Sequence, residues 1–358
     1  MFQRVRGVLA GSSTPGAHAF GLRLMAWDAT TLDLPGSVGN IAAFDTRNGA
    51  SCPQIRLMTV TECGTHAIAD ATFDGIDAAS EQVLASRLTG ALGPGMLLLA
   101  DQNFRGHAMW QTARATGAHL LWRARTSTRL DRLTDLPDGS FLSVIPTPAE
   151  IRRRTRHAHR HPAKPLSPAR DGHQVRVIDY SITIGNAGGH VRTEHLRLIT
   201  SLLDPNLAPA DQLAALYHQR WEAEGGYAEL KTHLRGAGRV LRSHTPDGIR
   251  QEIYAFLIVY QALCTAEAHA AATAGLDPDR ISFTITLRAA RRSATVPTTW
   301  RDFAHHLLAD LLPARRDRSY PRTATHIGTS RYARKKPSDP PPPGKIAYTL
   351  TITTKALN

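Results

Sequence analysis

The sequence predicts a mixed α/β chain whose core is interrupted by a β-rich insertion and followed by a helical, basic C-terminal region. Three observations predict it. Residues 1–125 read strand, strand, strand, helix, strand, helix, strand. Residues 126–205 turn strand-rich and strongly basic. Helical patterning then returns over Pro209 to Leu234 and Pro246 to Ala274. With 358 residues, 42% of them hydrophobic, the chain has enough apolar material for a proper core in two or three structural units.

Taken in order, residues 1–18 are rich in Gly, Ser, Pro and Ala and read as an irregular leader. LRLMAW (22–27) reads as a buried strand that runs into Asp28. QIRLMTVTEC and THAIADATF are β-like and separated by Gly64, which suits an antiparallel pair. SEQVLASRLTGAL (80–92) has helical spacing with Ser80 as N-cap, and Gly93-Pro94-Gly95 stops it. MLLLA (96–100) is a short apolar strand leading directly into Asp101. A helix near 106–116 and the strand HLLWRAR (119–125) follow. In the insertion, FLSVI, VRVIDYSITI and LRLITSLL are strand-like, and RRRTRHAHRHPAKPLSPARDGH between the first two reads as an exposed basic loop. Beyond Arg315 the chain is rich in Arg, Lys and Pro and reads as extended.

The net charge of +13 is unevenly placed. Residues 1–100 hold 6 basic and 8 acidic side chains, residues 151–200 hold 10 and 3, and residues 301–358 hold 11 and 4. A near-neutral first block with two basic segments of +7 each fits a polyanion partner. The same distribution suits two solvated loops, so charge names a partner class only. No apolar run approaches the roughly 18–20 residues of a membrane span, and no signal-type segment follows the start, which argues against a membrane partner. Cys52, Cys63 and Cys264 make no paired framework, which suits a reducing cytoplasm.

The segment YHQRWEAEGGYAELK (217–231) is the most informative. At about 100° per residue, Tyr217, Arg220, Glu224 and Lys231 fall inside an arc about 60° wide. Leu213, Leu216, Ala223, Tyr227 and Leu234 form an apolar stripe beside it, and Glu222 and Glu229 fall on a different face. A polar row flanking a buried stripe can face a cleft; it can equally be a solvated helix surface.

The spacing Y-(2)-R-(3)-E-(6)-K resembles the signature of DDE transposases of the bacterial insertion-sequence family-four branch. WDATTLDLP resembles that family's first-aspartate motif, with Ala29 where Gly is common, and LLLADQNFRG its second. CPQIRLMTVTECGTHAIADATF is similar to the strand pair between them, VRVIDYSI to the late part of the insertion, and RRDRSYPR (315–322) to the basic C-terminal stretch. The resemblance implies a ribonuclease H-like fold. The first core part would span residues 19–125, the β-rich insertion with its basic loop 126–205, the second core part 206–275 and the helical and basic C-terminal region 276–358.

It further implies cut-and-paste DNA transposition by phosphoryl transfer. Asp28, Asp101 and Glu224 would be the catalytic carboxylates and would hold two Mg²⁺ (or Mn²⁺) ions, hard cations that favour oxygen donors. Tyr217, Arg220 and Lys231 would contact transposon-end phosphates, and Arg152, Arg153 and Arg154 would bind DNA from the insertion. The partners implied are double-stranded transposon ends and target DNA, with a homodimer in the DNA complex, in a bacterial cytoplasm beside the chromosome. Strand hairpinning in such enzymes flips a base onto an aromatic; Trp122 and Trp221 lie near the motifs and read first as core packing.

Other readings stay open beside this one. Relatives carry a sizeable end-recognition segment ahead of the first aspartate, whereas Asp28 stands near the start here, so that segment is expected to be absent. The alternatives are therefore a truncated or domesticated remnant that binds DNA without catalysis, and a ribonuclease H-like nuclease that cuts without joining. Asp33, Asp45 and Asp70 also lie near the first motif, and only the resemblance selects Asp28 among them. His157, His159 and His161 alternate like metal ligands, but the arginines around them would repel a cation. Gly225-Gly226 costs about 1 kcal/mol per Gly in a helix, which close approach of DNA or a local helix break would explain.

Overall fold

The structure, a computed structural model, describes residues 1–44, 46, 52–104, 106–161, 167–169, 171–185, 191–217, 221–236, 240–314 and 348–353. Side chains are described for those residues except 184, 185, 191, 192, 221–224 and 348. A short helix α1 (Phe2–Val5) and a two-residue strand β1 (His18–Ala19) precede the long strand β2 (Leu22–Asp33). Helix α2 (Val38–Phe44) leads to β3 (Gln54–Glu62) and β4 (Ile68–Gly75). Then come α3 (Glu81–Arg87), β5 (Met96–Ala100), α4 (His107–Arg114) and β6 (His119–Ala124). The core sheet has the order β4-β3-β2-β5-β6, with β2, β3 and β4 antiparallel and β5 and β6 parallel to β2. That is the ribonuclease H-like arrangement, and it follows from the connections. A tight turn at Gly64 forces β3 and β4 antiparallel, whereas α3 and α4 each return the chain across the sheet for a parallel strand.

Period-two alternation gives this sheet two buried faces. Met25, Trp27, Leu98, Ala100, Leu120 and Trp122 pack under α3 and α4. Leu24, Ala26, Leu97, Leu99 and Leu121 face the opposite side. Trp122 is core packing: it is 1% exposed, with ring centroids 6.1 Å from Trp27 and 5.1 Å from Trp110. The side chain of Trp221 lies outside the described residues.

The insertion continues the same sheet. After β7 (Thr134–Asp135) and β8 (Phe141–Pro146) come helix α5 (Pro148–Arg160) and the strands β9 (Gly172–Gly185) and β10 (Val191–Thr200). β10 pairs antiparallel with β6, then β9, β8 and β7 extend the sheet outward. The first part of the stretch read as a basic loop, residues 152–160, is helical. Thr147 Oγ1 accepts from the Glu150 N–H at 3.1 Å and Pro148 opens the first turn, so T-P-A-E is a helix start that the Arg and His density obscured. Residues 162–166 and 170 of that stretch lie outside the described residues.

Two buried ion pairs fix the insertion. Arg197 donates to both Asp179 carboxylate oxygens, at 2.6 and 2.7 Å. Arg176, with no exposed surface, pairs with Asp138 and donates to Ser140 Oγ at 2.7 Å and to the Ala208 carbonyl at 2.6 Å.

The second core part comprises α6 (Ala210–Tyr217), α7 (Trp221–Ala228) with a π-helical turn at Glu229–Leu234, and α8 (Pro246–Ala274). α8 is long and apolar enough by length and composition to cross a bilayer, contrary to the sequence reading. It is nonetheless a core helix: Ile249, Ile253, Leu257, Tyr260 and Leu263 are buried with Ile55 and Leu57 of β3, and its buried Gln261 accepts from the Ile68 N–H at 2.8 Å. Of the helix-core candidates on it, Phe256 and Ile258 pack against this cluster, whereas Tyr254 and Val259 are exposed. Helices α9 (Phe283–Ser293) and α10 (Trp300–Leu308) follow, and β11 (Tyr348–Ile352) pairs with β9. The basic stretch 315–322 lies outside the described residues.

Apart from α1, the leader has no helix or strand before β1, yet it is anchored to the core. Buried Glu62 accepts from the Leu9 and Ala10 N–H groups, both at 2.9 Å, from Thr65 Oγ1 at 2.5 Å, and pairs with Arg23. Phe2 packs on Tyr254 with centroids 5.9 Å apart. These partners lie far along the chain, so no local periodicity announces them.

Candidate active site

Asp28 and Asp101 leave the core on neighbouring parallel strands. Ala26 of β2 lies opposite Leu99 of β5, the last pair of this ladder, and Asp28 and Asp101 each follow two residues beyond it. Both share the parity of Leu24, Ala26, Leu97 and Leu99 and so belong to the face that α6 covers. Both are half-buried, Asp28 in the middle of β2 and Asp101 just after the end of β5. Each carboxylate is oriented locally: the Ala29 N–H donates to Asp28 Oδ1 at 2.9 Å, and the Asn103 N–H to Asp101 Oδ1 at 2.7 Å. The competing aspartates are engaged elsewhere. Gln54 Nε2 donates to Asp33 Oδ1 at 2.7 Å, Asp70 pairs with Arg6, and Asp45 lies outside the described residues.

The segment from α6 to the π-turn crosses this face and is pinned at three points. Tyr217 is buried, and its hydroxyl donates to the Ala100 carbonyl at 3.2 Å, one residue before Asp101. The Tyr227 hydroxyl donates to the Asp28 carbonyl at 2.5 Å and lies 2.8 Å from Oγ1 of Thr59, the register partner of Asp28. Lys231 Nζ donates to Thr30 Oγ1 at 2.9 Å. Glu224 sits on α7 between the first two pins in the chain; its side chain, and the whole of Arg220, lie outside the described residues.

Behind α7 the sequence explains itself differently from expectation. A Cβ on Gly226 would meet the Tyr260 hydroxyl at 2.8 Å, and one on Gly225 would touch His66 Cε1 at 3.7 Å. Close approach of α8 therefore accounts for Gly226 with no need of nearby DNA, whereas a Cβ at Gly225 would make only an ordinary contact. Tyr260 donates to Glu229 Oε2 at 3.0 Å, and His66 Nδ1 lies 3.4 Å from the same oxygen. Glu229 thus faces away from the aspartates, as its helical angle predicts. The hydrogen bonding becomes π-helical from Glu229, which shifts Lys231 from the position a regular helix would give it.

Electrostatics follow this packing. Burial, and then the neighbouring Asp28 carboxylate, push the Tyr227 hydroxyl well above its ordinary range, so it remains a donor. Burial and Arg235 lower the Lys231 ammonium, with Asp33 opposing; an added phosphate would favour its charged form.

The insertion arginines stand apart on α5, which packs on β8. Arg152 and Arg153 are exposed, and Arg153 donates to Glu150 at 2.8 and 2.6 Å. Arg154 is mostly buried against Asp131 at 2.6 Å. Desolvation would raise the Asp131 carboxyl, but Arg154 and the Ala169 N–H outweigh it and hold it below the ordinary range.

Carboxylates that follow the last pair of one parallel ladder are hard oxygen donors and fit Mg²⁺ or Mn²⁺. Among the described residues no group of three or more His, Cys, Asp or Glu converges, so any third ligand comes from outside that set. His157 and His159 of α5 and His161 just after it make no such group; the rings of His157 and His161 approach to 5.0 Å.

Residues 19–262 match the family described as the transposase DDE domain. The chain belongs to the DDE transposase family. Over 332 residues this transposase is 26% identical to "Transposase InsG for insertion sequence element IS4" of Escherichia coli (strain K12), covering 87% of this chain and 69% of that protein. This agrees with the branch to which the Y-R-E-K spacing points. Among solved structures, "Cryo-EM structure of piggyBac transposase synaptic complex with hairpin DNA (SNHP)" aligns with 84% of this chain at TM-score 0.41 and 11% identity. The transposase spans 59% of that chain's length. DDE transposases act on DNA and generally use divalent metal ions.

The residues that sequence reasoning passed over are Tyr227 with its partner Thr59, and Thr30, the partner of Lys231. Tyr227 reads as one more apolar position, and only its place one turn after Glu224 could have marked it.

Proposed function

We propose that the chain catalyses DNA strand cleavage and strand transfer at insertion-sequence ends, with Asp28, Asp101 and Glu224 as its three carboxylates. The observation that supports this reading best is the β2–β5 register leading to Asp28 and Asp101, spanned by α6 and α7 through Tyr217 and Tyr227. Glu224 lies seven residues after one pin and three before the other, so its backbone lies in the chain between a contact to β5 beside Asp101 and one to β2 at Asp28. Asp28, Asp101 and Glu224 would hold two Mg²⁺ or Mn²⁺ ions, which would supply charge stabilisation for an in-line phosphoryl displacement. Lys231, its ammonium partly desolvated, and Arg220 offer donors to a backbone phosphate beside the carboxylates. Tyr217 serves from beneath, fixing the strand end that leads into Asp101. Arg152 and Arg153 on the exposed side of α5 engage DNA backbone at a distance from the cut, and Arg154 holds α5 in place. The reaction takes double-stranded transposon ends and target DNA, in a homodimeric complex in the cytoplasm beside the bacterial chromosome.

The test is cleavage of DNA bearing the flanking terminal repeats, with wild type and Glu224→Ala, in Mg²⁺ and in EDTA. Nicks or hairpins that vanish with EDTA and with Glu224→Ala are expected. Salt-sensitive DNA binding with no cleavage by wild type would sink the catalytic reading and favour a DNA-binding remnant.

A further inference from the structure

We infer that Tyr227 is a positioning residue for metal binding: its hydroxyl locks the helix carrying Glu224 to the strand carrying Asp28. The inference rests on the carboxylate assignment proposed above and adds a residue to it. The Tyr227 hydroxyl donates to the main-chain carbonyl of Asp28 itself, at 2.5 Å, and reaches Thr59 Oγ1 on the next strand at 2.8 Å. Thr59 Oγ1 is in turn 3.0 Å from Thr61 Oγ1, so the contact ends in a buried hydroxyl pair on β3. Four residues later Lys231 Nζ binds Thr30, two residues after Asp28. Matching steps of four on a helix and two on a strand, about 6 Å each, keep the two elements in register.

Behind the helix, Gly226 closes on Tyr260, and Tyr260 and His66 hold Glu229. This rear packing fixes how deeply α7 seats but leaves its sliding along β2 to the front contacts. Among the described residues Tyr227 is the front contact nearest Glu224, one turn away, and it grips the backbone of Asp28 rather than the carboxylate. A carboxylate pair on two separate elements binds a cation well only when those elements keep their spacing, and partners outside the ligand set supply that.

The experiment compares wild type, Tyr227→Phe, Thr59→Val and Asp28→Asn in the full chain. Circular dichroism and affinity for end DNA in EDTA serve as controls for fold and DNA binding. Mn²⁺ affinity is read by titration calorimetry, and cleavage is followed against Mg²⁺ concentration. For Tyr227→Phe, fold and DNA affinity should hold, Mn²⁺ affinity should fall by about tenfold, and excess Mg²⁺ should restore most of the cleavage rate. Thr59→Val should shift both in the same direction by less. Unchanged Mn²⁺ affinity and unchanged Mg²⁺ dependence in Tyr227→Phe would overturn the inference while Asp28→Asn still abolishes both. If Asp28→Asn itself binds Mn²⁺ and cleaves like wild type, the carboxylate assignment fails instead.

Discussion

Gly226 is the residue at which local preference and tertiary packing disagree most clearly. Alanine would be favoured in an isolated helix by about 1 kcal/mol, yet its Cβ would stand 2.8 Å from the Tyr260 hydroxyl. Gly226→Ala is therefore expected to lower stability by about 1–3 kcal/mol, by denaturant titration, because Tyr260 must leave Glu229. Tyr260→Phe in the same background removes the clashing oxygen and should recover most of that loss. An additive double mutant would show that the clash is not the cause. Glu62 belongs to the same scale. It is a fully buried carboxylate that survives because it accepts from two backbone N–H groups and Thr65 and pairs with Arg23. Nothing in TECGTH marks it as the anchor of a leader more than fifty residues earlier, since hydrogen bonds across such separations leave no local pattern.

At the scale of elements, α5 shows how charge can hide a helix. Thr147→Ala removes the cap on the Glu150 N–H and should cost about 1 kcal/mol of stability, seen as faster hydrogen exchange across 148–154. The far side of α5 is tied by Arg154 to Asp131, whose carboxyl is held below its ordinary range. That contribution is present above the unfolded-state value near pH 4 and is lost as pH falls through the lower folded-state value. Protection of α5 should accordingly fall on acidification below about pH 4 in wild type, and Arg154→Ala should flatten that dependence. Arg152, exposed on the same helix, should behave differently. Arg152→Ala is expected to leave stability unchanged, weaken DNA binding alike across sequences and reduce the salt slope by about 1. The signature helix is the opposite case: its spacing is visible in the sequence, but the π-turn that starts at Glu229, where Tyr260 and His66 of other elements meet it, is not.

Across the whole molecule, the insertion and the catalytic core share one sheet and one buried node. Asp138 in the insertion pairs with Arg176 and accepts from the Ala210 N–H at 2.9 Å, the first residue of the helix that ends at Tyr217. Arg176 also binds the carbonyl of Ala208 in the preceding segment. The basic insertion is thus coupled mechanically to the start of α6. Arg176→Met should destabilise the fold by roughly 3 kcal/mol, because it leaves Asp138 and these carbonyls without their buried partner. Thermal unfolding checks the stability, and slower cleavage at unchanged DNA affinity would report the looser α6.

The core order of strands and helices, the antiparallel pair around Gly64 and Asp101 just past the end of β5 were legible because they rest on short-range signals, whereas the strand expected to end at Asp28 runs on to Asp33. Period-two and period-3.6 burial, turn residues and fixed motif spacing all act within a few residues. The same holds for the Tyr217-to-Lys231 spacing and for the family it indicates. Tertiary structure alone decided that Asp28 and Asp101 each follow two residues beyond the last β2–β5 pair, that the insertion extends the core sheet, and that the leader is anchored by Glu62. It likewise decided that Tyr227 is a hydroxyl donor at Asp28 rather than one more apolar position. Each of these depends on a contact between residues distant in the chain, whose geometry exists only once the sheet has closed its register.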